Sequence, residues 1–225
     1  MVRSSSACWS AARCARCTGR CCASSWARRS SSRQNDARDA GLMRIVGGRF
    51  RGLRLKTPED DRVRPTTDRV RESLFNIIAH MNPPVLRDAV VLDLFAGTGA
   101  LGLEALSRGA ARAVFVDMDT RSLALVRANI DAAKAAALCT VVRADAAQLR
   151  PSEVGATLAF LDPPYGKGLV NPALEAAARG GWLSPGATVV IETASGEAVT
   201  LPPGFAETDQ RAYGGSHIVF ARYEP

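Results

Sequence analysis

The chain has 225 residues, 47% of them hydrophobic, and a formal net charge of +7. This length suits one ordinary domain with a short appendage. No apolar run approaches the roughly 20 residues that a transmembrane helix needs, so we expect no membrane span. The positive charge favours a nucleic acid as partner. However, residues 1–42 carry a net +6, and the remaining 183 residues carry only a net +1.

Residues 1–42 are rich in Ser, Arg, Ala and Cys and show no helical or strand period. Such a composition predicts disorder, and it is also typical of transit peptides. Cys14, Cys17 and Cys21 resemble half of a zinc site, but a second well-spaced Cys or His pair is missing, so we predict no metal site. We expect either a disordered extension or a misassigned start, with the folded protein beginning at Met43.

The segment from 43 to 88 is predicted to be a basic hairpin followed by a helix. "MRIVGGRFRGLRLKTP" alternates apolar and basic residues around glycines, which predicts a small twisted β-hairpin. Residues 44–71 carry a net +5, whereas residues 72–225 carry a net −4. We therefore expect phosphate contacts at this end of the chain. The candidate RNA-binding residues of the hairpin are Arg49, Arg51 and Arg54.

The stretch "RPTTDRVRESLFNIIAHM" (64–81) predicts a helix. A proline and Thr/Asp residues open it, and apolar residues then recur at helical spacing. Asn82-Pro83-Pro84 is expected to end it.

From residue 89 strands and helices alternate, which defines a domain over 89–225. Because the strands are unbroken apolar runs, they predict a doubly wound α/β fold of Rossmann type with a mostly parallel, seven-stranded sheet. The segments 205–213 and 216–223 flank Gly214-Gly215 and predict an antiparallel C-terminal hairpin at its edge. The other predicted strands are 89–95, 112–117, 138–145, 156–162 and 187–193, and the helices are 99–109, 120–136 and 169–183.

The stretch "LDLFAGTGALG" (92–102) runs from a strand through a glycine loop into a helix. Gly97 and Gly99 allow a tight turn, and the helix N-terminus directs free N–H groups at a ligand. The spacing also fits a dinucleotide fingerprint, so an NAD-binding dehydrogenase is one alternative. Asp93 argues against it, because a carboxylate inside the strand repels a pyrophosphate and suits a cationic amino-acid group.

Acidic residues end the next two strands. Asp117 lies 20 residues after Gly97, where a carboxylate can accept hydrogen bonds from ribose hydroxyls. Asp145 ends the third strand, before Ala146, and can accept from an adenine amino group. Asp119 is expected to be a helix N-cap instead.

The stretch "FLDPPYGKG" (160–168) ends the fourth strand, because proline cannot donate to a sheet ladder. Together with the glycine loop and the acidic strand ends, it resembles the class I S-adenosylmethionine-dependent methyltransferases over residues 89–225. The resemblance implies S-adenosylmethionine as cofactor. Its implied contacts are Asp93, Phe95, Gly97, Gly99, Asp117, Met118, Asp145 and Ala146. The implied catalytic residues are Asp162, Pro163, Pro164 and Tyr165.

In that family such a box accompanies methylation of an exocyclic or amide nitrogen. The lone pair of an exocyclic amine is delocalised into its ring, so the amine is a poor nucleophile. The Asp162 carboxylate and the Pro163 carbonyl can hold its two N–H bonds, while Pro164 makes that carbonyl rigid. Tyr165 can stack on the extruded base. Orientation and electrostatics would then supply the catalysis.

From Met43 to its end, the chain resembles the RsmD-type enzymes, which methylate N2 of one guanine in bacterial 16S ribosomal RNA. "MRIVGGRFRGLRLKTP" and "RPTTDRVRESLFNII" carry this resemblance. It implies a bacterial cytoplasmic enzyme acting on the small ribosomal subunit or an assembly intermediate. It also places Arg64, Thr66, Arg69 and Arg71 near the cofactor or RNA entrance. The family lacks the first 42 residues, and nothing in the sequence demands more than a monomer.

Two alternatives stay open. The same box serves N6-adenine DNA methyltransferases and protein glutamine methylation, although 225 residues leave no room for a separate DNA-recognition domain. A non-catalytic RNA-binding assembly factor could also keep the fold, but the intact Asp162–Tyr165 box favours an enzyme.

Overall fold

The structure is a computed structural model that describes residues 43–58, 68–81, 85–197, 199–213 and 215–225. The predicted N-terminal extension, the helix stop at Asn82-Pro83-Pro84 and the turn residue Gly214 lie outside the described residues. None of the helices in these ranges is long and apolar enough to cross a membrane.

A seven-stranded sheet forms the centre of the fold. Its strands are β1 (Val90–Leu94), β2 (Arg112–Asp117), β3 (Cys139–Arg143), β4 (Ala156–Leu161), β5 (Leu183–Ala194), β6 (Phe205–Tyr213) and β7 (Ser216–Tyr223). They lie in the order β3-β2-β1-β4-β5-β7-β6. Strands β1 to β5 are parallel, and β7 pairs antiparallel with both β5 and β6. This confirms the predicted doubly wound sheet with its antiparallel C-terminal hairpin.

In the described ranges four α-helices accompany the sheet: α1 (Asp68–Ala79), α2 (Ala100–Ser107), α3 (Thr120–Ala132) and α4 (Val170–Arg179). α3 and α4 each end four residues before the predicted end, which was 136 for α3 and 183 for α4. Lys134, just beyond α3, has a left-handed backbone with φ of 53°. Pro172 lies in the first turn of α4, where a missing N–H is tolerated.

Alternate residues of the central strands bury their side chains on opposite faces of the sheet. Val91 and Phe115 pack in one cluster with residues of α1, α2 and α3. Leu92 and Val114 pack in a second cluster with residues of α4. This two-sided burial explains why the strands are continuous apolar runs.

The predicted N-terminal hairpin is short. Arg44 and Arg54 form a single antiparallel bridge, and a 3-10 turn over Gly48–Phe50 lies between them. The turn packs directly on α2: Gly48 has a φ of +72°, and a Cβ there would lie 1.9 Å from the Ser107 carbonyl oxygen. Ser107 Oγ also accepts the Phe50 N–H at 2.8 Å.

Two buried polar side chains fasten the hairpin to the sheet domain. The Glu104 carboxylate accepts the Val46 and Gly47 N–H groups at 2.8 and 2.9 Å. Asn129 accepts the Lys56 N–H at 2.7 Å and donates to the Lys56 and Thr98 carbonyls at 3.1 and 2.9 Å. Both side chains are completely buried. The basic hairpin is therefore tied to α2, to α3 and to the glycine loop.

We predict that Glu104→Gln destabilises the protein by about 3 kcal/mol, because the variant leaves Arg108, whose Nε lies 2.6 Å from Glu104 Oε1, without its buried partner. Urea unfolding of the whole protein measures this change. The matched control is Glu175→Gln on the exposed side of α4, which should change stability by less than about 0.5 kcal/mol. Equal effects of the two substitutions would contradict the anchoring role of Glu104.

Candidate active site

Residues at and just beyond the ends of β1, β2 and β4 line one cavity of about 580 Å³. In doubly wound sheets the ligand crevice lies outside the carboxyl ends of the strands. The predicted site residues that line it are Asp93, Phe95, Gly97, Asp117, Met118, Asp162, Pro163, Pro164 and Tyr165. Gly99, Asp145 and Ala146 lie outside this lining.

The glycine loop turns through an unusual backbone. Phe95, Gly97 and Gly99 have φ angles of 62°, 56° and 76°, all in the left-handed region. For Phe95 this conformation is strained, and such strain is concentrated at functional sites. The loop thereby reverses direction between β1 and α2 and contributes Phe95 and Gly97 to the cavity wall.

Asp93 caps α2 from the neighbouring strand. Gly99 occupies the N-cap position and has no side chain to cap the helix, but Asp93 Oδ2 accepts the Gly102 N–H at 2.9 Å. Burial raises the pKa of Asp93 to about 7, and the negative charge of Asp117 adds to the rise. Asp93 is thus a buried carboxyl in the cavity wall, able to hold or release a proton near neutral pH.

Asp117 and Asp119 have different roles at the end of β2. Asp117 accepts the Gly97 N–H at 2.9 Å through Oδ2 and the Asp119 N–H at 2.9 Å through Oδ1. Asp119 caps α3 by accepting the Arg121 N–H at 3.1 Å, as the sequence predicts, and this bond lowers its pKa. Asp117 therefore braces the glycine loop while it lines the cavity.

Asp145 lies two residues beyond the end of β3, not in the strand as predicted, and it is the N-cap of a short 3-10 turn over Ala146–Gln148. Its carboxylate accepts the Ala147 N–H at 2.9 Å and the Gln148 side-chain amide at 3.2 Å. Its predicted contact with an adenine amino group, and the contact of Ala146 beside it, stay predictions.

The Asp-Pro-Pro-Tyr loop follows β4 and meets β5 and β7. Burial raises the pKa of Asp162 well above the ordinary carboxyl value, and the charges of Glu192 and Asp93 raise it further. The Tyr165 side chain is 40% exposed. Its hydroxyl lies 3.4 Å from Glu192 Oε1 and 3.4 Å from Ser216 Oγ. The Tyr165 ring thus lies beside the cavity, and its hydroxyl contacts residues of β5 and β7.

The sequence prediction missed Glu192. This residue is only 5% exposed, although it is a carboxylate near the carboxyl end of the buried strand β5. A charged residue inside the apolar run "VVIETA" is the signal that could have found it.

Arg71 lies in the cavity wall. The resemblance implied a position near the cofactor or RNA entrance, and the side chain is completely buried beside the cavity, so its predicted RNA contact stays a prediction. The guanidinium donates to Asp68 Oδ1 at 2.6 Å and to the Arg44 carbonyl, and it lines the cavity. Its side chain therefore belongs to the cavity wall and does not reach the outer surface.

The other candidate RNA-binding residues divide into two groups. Arg49, Arg51, Arg54 and Arg69 are exposed. Arg64 and Thr66 lie outside the described residues.

The comparisons with known proteins agree on one family. A family model described as conserved hypothetical protein 95 matches residues 43–222. Ribosomal RNA small subunit methyltransferase D of Escherichia coli (strain K12) is 40% identical over 154 residues, which cover 68% of this chain and 76% of that protein. The chain belongs to this RsmD-type methyltransferase family.

Solved structures agree with the fold of the RsmD-type family. A putative methyltransferase, yhhF, from Escherichia coli matches with a TM-score of 0.70 at 35% identity, covering 82% of this chain and 99% of that one. An RNA methyltransferase from Salinibacter ruber in complex with S-adenosyl-L-homocysteine matches with a TM-score of 0.54 at 21% identity, covering 71% and 94%, and supports the fold alone. As an RsmD-type enzyme, the chain is a methyltransferase that uses S-adenosylmethionine.

The cavity residues fit this cofactor chemically. Asp93 offers a buried carboxylate for a cationic amino group, and Asp117 offers carboxylate oxygens for hydroxyl groups. Phe95, Leu101 and Met118 supply apolar wall for an aromatic base.

We predict that cofactor affinity depends on the ionisation of Asp93. A cationic amino group requires the charged carboxylate, so the affinity for S-adenosylhomocysteine should rise with pH as Asp93 loses its proton around pH 7. Isothermal titration should show a Kd about five- to tenfold lower at pH 7.5 than at pH 6. Asp93→Asn should bind more weakly and lose this dependence, while the exposed control Asp131→Asn should keep it. A wild-type Kd that is constant over this range would contradict the assignment.

Proposed function

We propose that the protein transfers the methyl group of S-adenosylmethionine to the exocyclic N2 of a guanine in the 16S rRNA of the small ribosomal subunit. The observation that carries this proposal is the Asp-Pro-Pro-Tyr loop, which lines the same cavity as the glycine loop and Asp93. Relatives named ribosomal RNA small subunit methyltransferase D, from Escherichia, Haemophilus and Buchnera, support rRNA as the substrate.

Asp162 and Pro163 would orient the amine. A guanine amino group has two N–H bonds, and the Asp162 carboxylate and the Pro163 carbonyl can accept one each. Both residues line the cavity, and Pro163 is buried. Fixing both bonds directs the lone pair along one axis, and such orientation contributes several kcal/mol in well-placed reactions.

Tyr165 would hold the base itself. Its ring is 40% exposed beside the cavity, so a base taken out of its stack can lie against it. Pro164 next to it is exposed as well, which leaves the loop accessible to a large substrate.

The cofactor supplies a methyl group on a positively charged sulfur. A new N–C bond forms at the amine as the S–C bond breaks, and the amine nitrogen then gives up one proton. Asp162 can hold that proton, because burial and the neighbouring Glu192 and Asp93 carboxylates raise its pKa well above the ordinary value. Asp162 therefore accepts from the amine before transfer and takes the proton afterwards.

The exposed arginines of the hairpin and α1 would bind RNA phosphates. Arg49, Arg51 and Arg54 belong to the hairpin that packs on α2, and Arg69 lies on α1. Phosphate contacts position a nucleic acid without reading its sequence, so the folded subunit would present the target base. The proposal includes a monomeric enzyme in the bacterial cytoplasm that acts on the subunit or an assembly intermediate.

The first test is methyl transfer from labelled S-adenosylmethionine to small ribosomal subunits that lack the modification. Mass spectrometry of the digested RNA should find N2-methylguanosine at one position. Asp162→Ala should lower kcat by about 100-fold or more with little change in the Kd of S-adenosylhomocysteine, because it removes an acceptor at the reacting nitrogen. The exposed control Asp131→Ala should retain full activity.

Other results would redirect the proposal. Label in DNA adenine or in a protein glutamine would contradict the rRNA substrate. Cofactor binding without label in any of the three acceptors would favour a non-catalytic assembly factor.

A second prediction tests the basic face. Replacing Arg49, Arg51 and Arg54 together by Glu should weaken rRNA binding and reduce the slope of log K against log salt by about 2, since three phosphate contacts are lost. The affinity for S-adenosylhomocysteine should stay unchanged. The control with an equal change of net charge replaces the exposed Arg87, Arg150 and Arg179 by Glu. If both triple variants bind rRNA equally, the hairpin is not the RNA-binding surface.

A further inference from the structure

Glu192 lies beside the Asp-Pro-Pro-Tyr loop at the end of the adjacent strand. Leu161 of β4 pairs with Ile191 of β5, so the next residues lie at the same level of the sheet: Asp162 just after the end of β4, and Glu192 inside β5. Glu192 is 5% exposed. A carboxylate buried to this extent costs free energy, which favours a specific task for it.

The Tyr165 hydroxyl connects this carboxylate to a third strand. It donates to Glu192 Oε1 over 3.4 Å, and Ser216 Oγ lies 3.4 Å from it. Ser216 begins β7 and pairs with Ala194 of β5. Both separations are long for O–H···O hydrogen bonds, so each contact alone is weak.

The loop needs such a contact. Gly166 and Gly168 follow Tyr165 with left-handed φ angles of 68° and 62°, and a Cβ at either position would meet nothing within 4 Å. An exposed ring next to two glycines in open space has little packing to fix its direction. A hydroxyl held by the sheet reduces the conformational entropy that the ring would otherwise lose when a base stacks on it.

We propose that Glu192 is a positioning residue of the methyl-transfer site, which fixes the Tyr165 ring through its hydroxyl and acts on the Asp162 carboxylate as a like charge from the next strand. This inference rests on the proposed function, since it concerns the residues that would hold the target base. It also gives a reason for a tyrosine at position 165, because phenylalanine could stack equally well but could not reach Glu192.

The charged and titratable groups around Asp162 determine the pH dependence. Glu192 from β5, Asp93 from β1 and Tyr165 from its own loop face it, and Arg71 from α1 lines the same cavity. The ionised Asp162 accepts from the amine more strongly than the protonated group does, and only the ionised form can take up the amine proton, so kcat/KM should rise with pH as this group loses its proton. Removing the negative charge of Glu192 lowers the pKa of Asp162, so the acid limb should move to lower pH.

The experiment compares Glu192→Gln, Tyr165→Phe and the double variant on small ribosomal subunits. Each single variant should lower kcat about fivefold, the effect of one hydrogen bond, and the double variant should lose no more than a single one. Glu192→Gln should also shift the acid limb of kcat/KM to lower pH. Matched controls are Glu207→Gln on the exposed side of β6 and Tyr223→Phe on β7, which should behave as wild type.

A second measurement does not depend on activity. The chain has three tyrosines, so incorporation of 3-fluorotyrosine gives three fluorine resonances, and Tyr165→Phe identifies the one that belongs to Tyr165. Burial raises the pKa of the Tyr165 hydroxyl, and the charge of Glu192 raises it further, so Glu192→Gln should make this resonance titrate at lower pH. If Glu192→Gln does not fold, Glu192→Asp keeps the charge but shortens the side chain, and it should lower kcat like Tyr165→Phe with the acid limb in place.

Two results would overturn the inference: an unchanged kcat and acid limb in Glu192→Gln, or a Tyr165 resonance that titrates as in wild type. Independent, multiplying losses in the double variant would also contradict the contact. Failure of the proposed function is distinguishable, because it appears as absence of N2-methylguanosine with the wild-type protein, whatever the fluorine titration shows.

Discussion

The close approach of α2 to the first two strands determines the whole site. A Cβ on Gly102 would lie 2.4 Å from Phe115 Cε1 and 3.1 Å from Asp93 Oδ2, so only glycine lets the helix begin there. This approach brings the Gly102 N–H onto the Asp93 carboxylate and keeps the glycine loop in its left-handed turns. The cavity, its acidic wall and the position of Asp117 all follow from where this helix starts.

The cavity wall concentrates negative charge in a place of low solvation. Asp93 and Asp162 both have raised pKa values because they are buried, and Asp93 raises that of Asp162. Such a cluster is unfavourable for folding, and shifted carboxyl groups in a cleft are typical of functional sites. A positively charged ligand converts the repulsion into attraction. The cluster of carboxyl groups therefore suits a cationic ligand. Its cost to the stability of the fold is offset when that ligand binds.

The fold could be predicted from sequence because strand period and helix spacing are local properties. The strand over residues 90–94 follows directly from its apolar run, and the Asp162–Tyr165 box was visible as a strand exit. Two contacts could not be predicted: that of the buried Arg71 with the Arg44 carbonyl, and that of Glu192 with Tyr165. Each joins residues that are 27 positions apart in the sequence. The predicted helix ends were inaccurate because a left-handed residue such as Lys134, just beyond α3, carries no strong sequence signal.

Asn129 has a consequence for how the molecule opens. Its side chain joins Lys56, at the end of the hairpin, to the Thr98 carbonyl in the glycine loop. Neither segment can detach without breaking buried polar contacts of the other, so the two should open and close as one cooperative unit in native-state hydrogen exchange. A ligand that binds the loop alone would then protect the amide groups of the hairpin as well. The exposed, arginine-bearing hairpin would then exchange its amide hydrogens more slowly when the cavity is occupied, although it does not contact the ligand.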